Sequence, residues 1–278
     1  MKCKLFLFVG VCIAVFSCTK ENESLLRETK PVLSSQSVTD TVLDIVKADC
    51  DGLINGFKEG CEFADNHSIG VVSWAIGSGF AIVRAVGNSC EAAKEKKMQP
   101  KPDAASVSTM FQEAGNSSNP ADSVGLAHYL IVDSLFKIQG MWYDVVDGFN
   151  ASAYYPLAAN ILGIVYPKYA IINQNNYYSD LYSLFLSSYP NGVDDFTSLI
   201  TDCIEDATLR EVLFSYRSEF ESVVNFPSFY AYSVSVESDV IANNSYSYQD
   251  KFKALAYMAT MRYGLWYWSN FYSESAVY

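Results

Sequence analysis

The sequence predicts an all-α protein, a helical bundle built on an antiparallel glycine-zipper hairpin. Two observations carry that prediction. Small residues stand at every fourth position in two runs: Ala48, Gly52, Gly56, Gly60 and Ala64, then Ser73, Gly77, Ala81, Ala85, Ser89 and Ala93. Four-residue spacing places each run along one helix ridge, and a ridge without side chains lets another backbone come close. Beyond the hairpin, apolar residues recur at helical intervals and are punctuated by proline, glycine and asparagine.

The chain begins with an address. Residues 1–17 read as a signal peptide, with Lys2 and Lys4 ahead of the apolar run Leu5–Phe16, which is too short to span a bilayer. The run ends in Val15-Phe16-Ser17-Cys18, which resembles the lipobox of bacterial lipoproteins. The resemblance implies cleavage before Cys18 and lipidation of that cysteine, a lasting membrane anchor. The following Thr19-Lys20-Glu21-Asn22-Glu23 resembles the surface-export signal of Bacteroidetes lipoproteins, which implies an outer-membrane, cell-surface location. Residues 18–36 are then a lipidated polar tether, and 37–278 a single all-helical domain: hairpin 37–97, connector 98–119, aromatic-rich helices 120–278.

Within the hairpin the first helix runs from about Ser37–Asp40 to Ala64 and the second starts near Ser68, with Asp65-Asn66-His67-Ser68 as the turn. A turn centred between residues 66 and 67 opposes Ala48 to Ala85, Gly52 to Ala81, Gly56 to Gly77 and Gly60 to Ser73. The zipper contact thus falls to Gly52, Gly56, Gly60, Ser73, Gly77 and Ala81. The same register sets Arg84, the one charge in the apolar run Ile69–Val86, opposite Asp49. A lone buried cation is costly, so a salt bridge from Arg84 to Asp49, or to a nearby acid such as Asp51, is expected.

After the connector, Asn119-Pro120 opens a helix with Val124, Ala127, His128, Ile131, Leu135 and Ile138 on one face. His128 sits on that apolar stripe, where it reads as a core histidine. Further helices are expected over about Ala151–Tyr166 and Ser179–Ser188, from Asp194/Asp195, and over Thr208–Val224 and Tyr248–Tyr272. Ser228–Ala242 is ambiguous, because Val234 and Val236 alternate like a strand, but its neighbours favour helix. The hairpin, the segment Ser123–His128 and the end Ala259–Trp268 together resemble Bacteroidetes lipoproteins without an established activity. That resemblance implies the compartment and an all-helical fold, and implies no catalytic residue.

Four cysteines remain beyond the anchor: Cys50, Cys61, Cys90 and Cys203. Cys50 and Cys61 lie about 16 Å apart along one helix, too far to bridge. In the hairpin register Cys90 also stays out of reach of Cys50, so free thiols are expected. No pair has metal-ligand spacing, and no metal or cofactor is predicted.

The sequence lacks a nucleophile elbow, a zinc-protease motif, a P-loop and a dinucleotide fingerprint. His67 lies six residues from Cys61, which reads as a solvated turn rather than a dyad. Asp194/Asp195 and Glu205/Asp206 stand at helix starts, where acids cap amides and complement the dipole. Thr41 and Ser123 lie in Asp-Thr-Val and Asp-Ser-Val triplets that resemble the acceptor of Bacteroidetes O-glycosylation, as Ser134 does less favourably inside a helix.

Losing the signal leaves 17 basic and 31 acidic residues, about −14, which argues against nucleic acid as a partner. Twenty Tyr and four Trp fill a core or present a stacking surface. The reading is therefore a lipid-anchored, non-enzymatic binding module with a protein or glycan partner. The alternative is a membrane-active, pore-forming or bacteriocin-like protein that inserts the 48–93 hairpin, and a hydrolase using an acidic pair comes third. Acids on the first helix weigh against insertion.

Overall fold

The computed structural model describes residues 39–66, 81–82, 84–89, 92–93, 95–96, 98–100, 110–138 and 195–274. The signal and tether with Cys18, His67, Ser73, Gly77, Cys90, Asp194 and the helices expected over 151–166 and 179–188 lie outside these residues.

Within them the protein is a helical bundle. Helix α1 spans Asp40–Asn66. Helical residues at 81–82, 84–89, 92–93 and 95 form α2. Next come α3 Met110–Ala114, α4 Asp122–Ile138, α5 Phe196–Cys203 and α6 Ala207–Glu221. Helices α7 Phe226–Ala242 and α8 Tyr248–Phe271 complete the helical set.

Helix α8 is the axis of the bundle. Every residue from Ala254 to Ser269 is buried, and α4 and α1 pack along it, with α7 beside them. A helix that is apolar and aromatic all round has no face to give to water, so its neighbours must enclose it. Trp266, Trp268, Tyr257, Tyr263 and Tyr267 are among its fully buried side chains. Among the described residues the aromatic load is therefore mostly core, with Tyr248 an exposed exception.

The local chemistry of several helix starts matches the sequence. Asp206 caps α6 by accepting from Leu209 N at 2.9 Å. Asn225 caps α7 by accepting from Ser228 N at 3.0 Å, with proline in the first turn. The strand-like Val234–Val236 alternation yields to that cap and to the helical burial of Phe229, Ser233, Glu237 and Val240. Asn119 accepts from Ala121 N at 2.8 Å and donates to the Leu255 carbonyl at 3.1 Å, tying the entry of α4 to α8. Asp195 occupies the cap position of α5 but makes no side-chain cap bond.

Helix extent and strand content differ from the sequence reading. Helix α1 continues through Asn66, taking in the first half of the expected turn. Strands β1 Met98–Pro100 and β2 Tyr272–Glu274 pair antiparallel, with Gln99 opposite Ser273. Segments of three residues are too short for alternation to show, and only the bundle brings them together.

Gly52 stands against α2 at Ala85: a Cβ built there would lie 2.9 Å from Ala85 Cα and 3.0 Å from the Arg84 carbonyl oxygen. The expected partner was Ala81, so the observed contact is displaced by one helical turn. Asn88 Nδ2 donates to the Ala48 carbonyl at 3.1 Å, in keeping with the displaced register. The ridge repeats every four residues, so a slip of four exchanges one small residue for another. Gly56, Gly60 and Ala81 are buried.

Candidate functional site

Three networks of buried polar side chains lie between α8 and its neighbours. The first is centred on Asp49 of α1. Its carboxylate accepts from Ser89 Oγ of α2 on one oxygen, and on the other from Tyr129 OH of α4 at 2.5 Å and Trp268 Nε1 of α8 at 3.2 Å. Asp49, Ser89, His128 and Tyr129 are buried, and four elements thus converge on one carboxylate. Burial, then the charge of Asp49, pushes the Tyr129 hydroxyl well above its ordinary range. Gly264 makes room for that hydroxyl, since a Cβ there would lie 2.2 Å from it.

His128 Nε2 lies 3.0 Å from Ser89 Oγ and 3.9 Å from Asp49 Oδ2. Because the Ser89 hydroxyl gives its only proton to Asp49, its oxygen is left to accept from the ring. Among the described residues His128 Nδ1 finds no hydrogen-bond partner. Serine, histidine and aspartate thus meet here, but in an order unlike a nucleophilic triad. There the serine proton goes to the ring and the carboxylate holds the opposite ring nitrogen. Here the carboxylate takes the serine proton directly. The arrangement fixes a core and does not activate a nucleophile.

The second network joins Asp51 of α1 to Arg217 of α6. Arg217 donates to both carboxylate oxygens, with Nη2 to Oδ2 at 3.1 Å, and Nη1 also reaches Tyr257 OH at 3.4 Å. Its guanidinium lies 4.1 Å from the centre of the Phe196 ring. Burial raises the Asp51 carboxyl, and the hydrogen bond from Arg217 works against that rise.

The third is built on Arg262 of α8, which is fully buried. It donates from Nε to Glu237 Oε1 at 3.0 Å and pairs with Asp122 through Nη2. Asn116 Nδ2 donates to Glu237 Oε2 at 2.6 Å, Ser233 Oγ to Glu237 Oε1 at 3.0 Å, and Tyr263 OH to Asp122 Oδ2 at 2.8 Å. Burial opposes the Arg262 charge, but Glu237 and Asp122 more than offset it, so the guanidinium holds its proton above the usual range. Burial lifts Asp122 despite Arg262.

The predicted Arg84–Asp49 bridge is not formed. Arg84 pairs with Glu59 of α1, Nη2 to Oε1 at 3.7 Å, while Asp49 is occupied by Ser89, Tyr129 and Trp268. Asp51, the other acid considered, is paired with Arg217. A buried arginine does find an acid, as the cost of a lone charge requires, but the sequence could not rank the acids along α1.

The other sequence candidates are scattered. Cys50 and Cys203 are buried free thiols, and Cys61 is half-buried. Thr41 is half-buried in the first turn of α1. Ser123 is exposed, but its triplet neighbours Asp122 and Val124 are buried. Among the described residues no group of three or more His, Cys, Asp or Glu is placed to hold a metal.

Ser89, Arg217, Glu237 and Arg262 were not singled out from the sequence as polar-network residues. One signal was present: Arg262 and Glu237 each interrupt an apolar stripe, as Arg84 does. Comparison of the chain with family models, curated proteins and solved structures finds no match.

Proposed function

We propose that the protein is a lipid-anchored component of the outer membrane, held through Cys18 and facing the cell surface. There it acts as a non-enzymatic binding module for a protein or glycan partner. The observation that supports this reading is the use made of its reactive groups. Asp49, Ser89 and His128, the described side chains best suited to acid–base or nucleophilic work, are fully buried, and the carboxylate is saturated by internal donors. The acidic balance of the chain favours such a partner over nucleic acid.

One shallow concavity of about 140 Å³ lies where α6 meets α7, lined by Glu219, Ser222, Val223, Val224, Ser228, Phe229 and Tyr232. It is smaller than the roughly 300 Å³ of small-molecule clefts and suits a single side chain or sugar ring. Val224, 66% exposed, forms an apolar rim.

The experiment is to present non-lipidated protein to glycan and envelope-protein arrays, and to follow palmitate incorporation into wild type and Cys18→Ala in cells. Binding on either array, and label lost in the variant, supports the reading; silence on both arrays removes the binding role. Dye release from liposomes by the same protein would favour the membrane-active alternative. That alternative must pull Asp49 from donors on α2, α4 and α8.

A further inference from the structure

Helix α6 ends at Glu221 and α7 begins at Phe226, and the concavity of about 140 Å³ lies at this junction. The C-terminal end of a helix carries negative partial charge, yet the last turn of α6 holds no basic residue to answer it. Glu221 finds a cation elsewhere, Lys47 of α1 at 3.8 Å. Glu219, which is exposed and lines the concavity, pairs with no cation among the described residues. The start of α7 would by itself suit an anion, but Asn225 already accepts from Ser228 N there.

Both serines of the lining spend their donors inside the protein. Ser222 donates to the Glu219 carbonyl from N at 3.1 Å and from Oγ at 2.9 Å. Ser228 donates from N to Asn225 Oδ1 at 3.0 Å and from Oγ to the Asn225 carbonyl at 3.1 Å. What they leave to a visitor is lone pairs, and the Glu219 carboxylate adds more. The remaining wall is apolar, with Val223, Phe229 and the exposed rim of Val224. Tyr232 stacks one ring face on the fully buried Tyr216, centroids 5.7 Å apart, which turns its other face away from the core. Burial, then the charge of Glu219, raises the Tyr232 hydroxyl, so the carboxylate and the phenol share this corner.

We propose that this concavity receives a lysine or arginine side chain of a partner protein, its charged head on Glu219 and the serine oxygens and its aliphatic stem against Val223, Val224 and Tyr232. The inference rests on the reading of the chain as a binding module and names the chemistry of its partner. A long basic side chain joins an apolar stem to a head that only donates, which matches an apolar wall beside acceptors. The helix end, the carboxylate and the net charge of −12 all favour the same sign of visitor. A sugar ring is the poorer match, because its oxygens need donors and the two serines offer none.

The test titrates the isotope-labelled full chain with N-acetyl-lysine methylamide and follows amide resonances. Parallel titrations use its Nε-acetylated form, N-acetyl-norleucine methylamide and glucose. The lysine probe should shift the Ser222–Tyr232 amides, and the two uncharged analogues should not. Glu219→Gln should weaken the lysine probe by about fivefold, the scale of one exposed charge pair, while Tm stays as in wild type. Glu219→Lys should abolish the shifts. Equal shifts from norleucine, no shift of these amides by lysine, or indifference to Glu219→Gln overturns the proposal. Shifts from glucose instead of lysine also overturn it and leave a glycan-binding module standing. Partners found on the protein array whose affinity survives Glu219→Lys overturn this site alone, whereas silence on both arrays removes the binding role and this inference with it.

Discussion

Gly125 of α4 lies directly on the backbone of Ala259 in α8: a Cβ at Gly125 would fall 2.7 Å from the Ala259 carbonyl carbon and 2.8 Å from its oxygen. The atoms it would meet are main chain and cannot swing aside. Gly125→Ala must therefore push α4 away from the axis of the bundle. We expect it to destabilise the fold by about 1–3 kcal/mol in urea unfolding, the usual cost of overpacking, although alanine is the better helix former. Stability equal to wild type would show that the two helices do not cross this closely.

The Asp49 network predicts an ordered series of losses. Tyr129→Phe removes one donor and leaves the carboxylate two, so it should cost about 1.5–3 kcal/mol. Asp49→Ala leaves the hydroxyls of Tyr129 and Ser89 and the Trp268 indole N–H without their acceptor in a site closed to water. Its cost should be larger, about 3–5 kcal/mol, less than the sum of three separate losses because the cavity relaxes. Denaturant midpoints for the two variants, read by circular dichroism, check both size and order. An Asp49→Ala protein as stable as Tyr129→Phe would dissolve the network as a unit.

Alkali should unfold the protein cooperatively. Tyr129, Tyr216, Tyr257 and Tyr263 all have hydroxyls that burial pushes well above their ordinary value of 10, and burial pushes Cys203 from 9 up to about 12. The unfolded chain releases these protons near pH 9 to 10, whereas the folded chain still holds them. The folded state thus binds more protons in that window, and stability falls as pH rises above about 9. Tyrosinate absorbance should therefore rise in two parts, an early one from exposed residues such as Tyr248 and a late one coincident with loss of helix. A single smooth titration with the helix signal intact would contradict the burial of these hydroxyls.

The elements most readable in advance were those whose information is local. The Asp206 cap and the helical stripe of α4 both sit within one or two turns of the residues that specify them. The register of α1 on α2 was readable only to within a turn, because a four-residue ridge presents Ala81 and Ala85 alike. The demand of a buried arginine for an acid was readable too, but its partner was not. Asp49, Asp51 and Glu59 all lie on α1, and the choice among them depends on Arg217, Tyr129 and Trp268, which arrive from elsewhere in the chain. Arg262 illustrates the same limit, since its two acids come from α4 and α7 and only the closed bundle brings them together.

A double-mutant cycle on Arg84 decides between the two registers. The observed contact is Arg84 with Glu59, both shielded from solvent, with side chains 7% and 14% exposed. Shielding weakens screening, so a coupling of about 0.5–3 kcal/mol is expected from Arg84→Met combined with Glu59→Gln. The parallel cycle of Arg84→Met with Asp49→Asn should give coupling near zero, because Asp49 is taken up by Ser89, Tyr129 and Trp268. The two cycles share one variant and one assay, urea unfolding, so differences in denatured-state behaviour of Arg84→Met cancel between them. The opposite result, coupling at Asp49 and none at Glu59, would restore the register in which Gly52 meets Ala81 and would displace α2 by one turn.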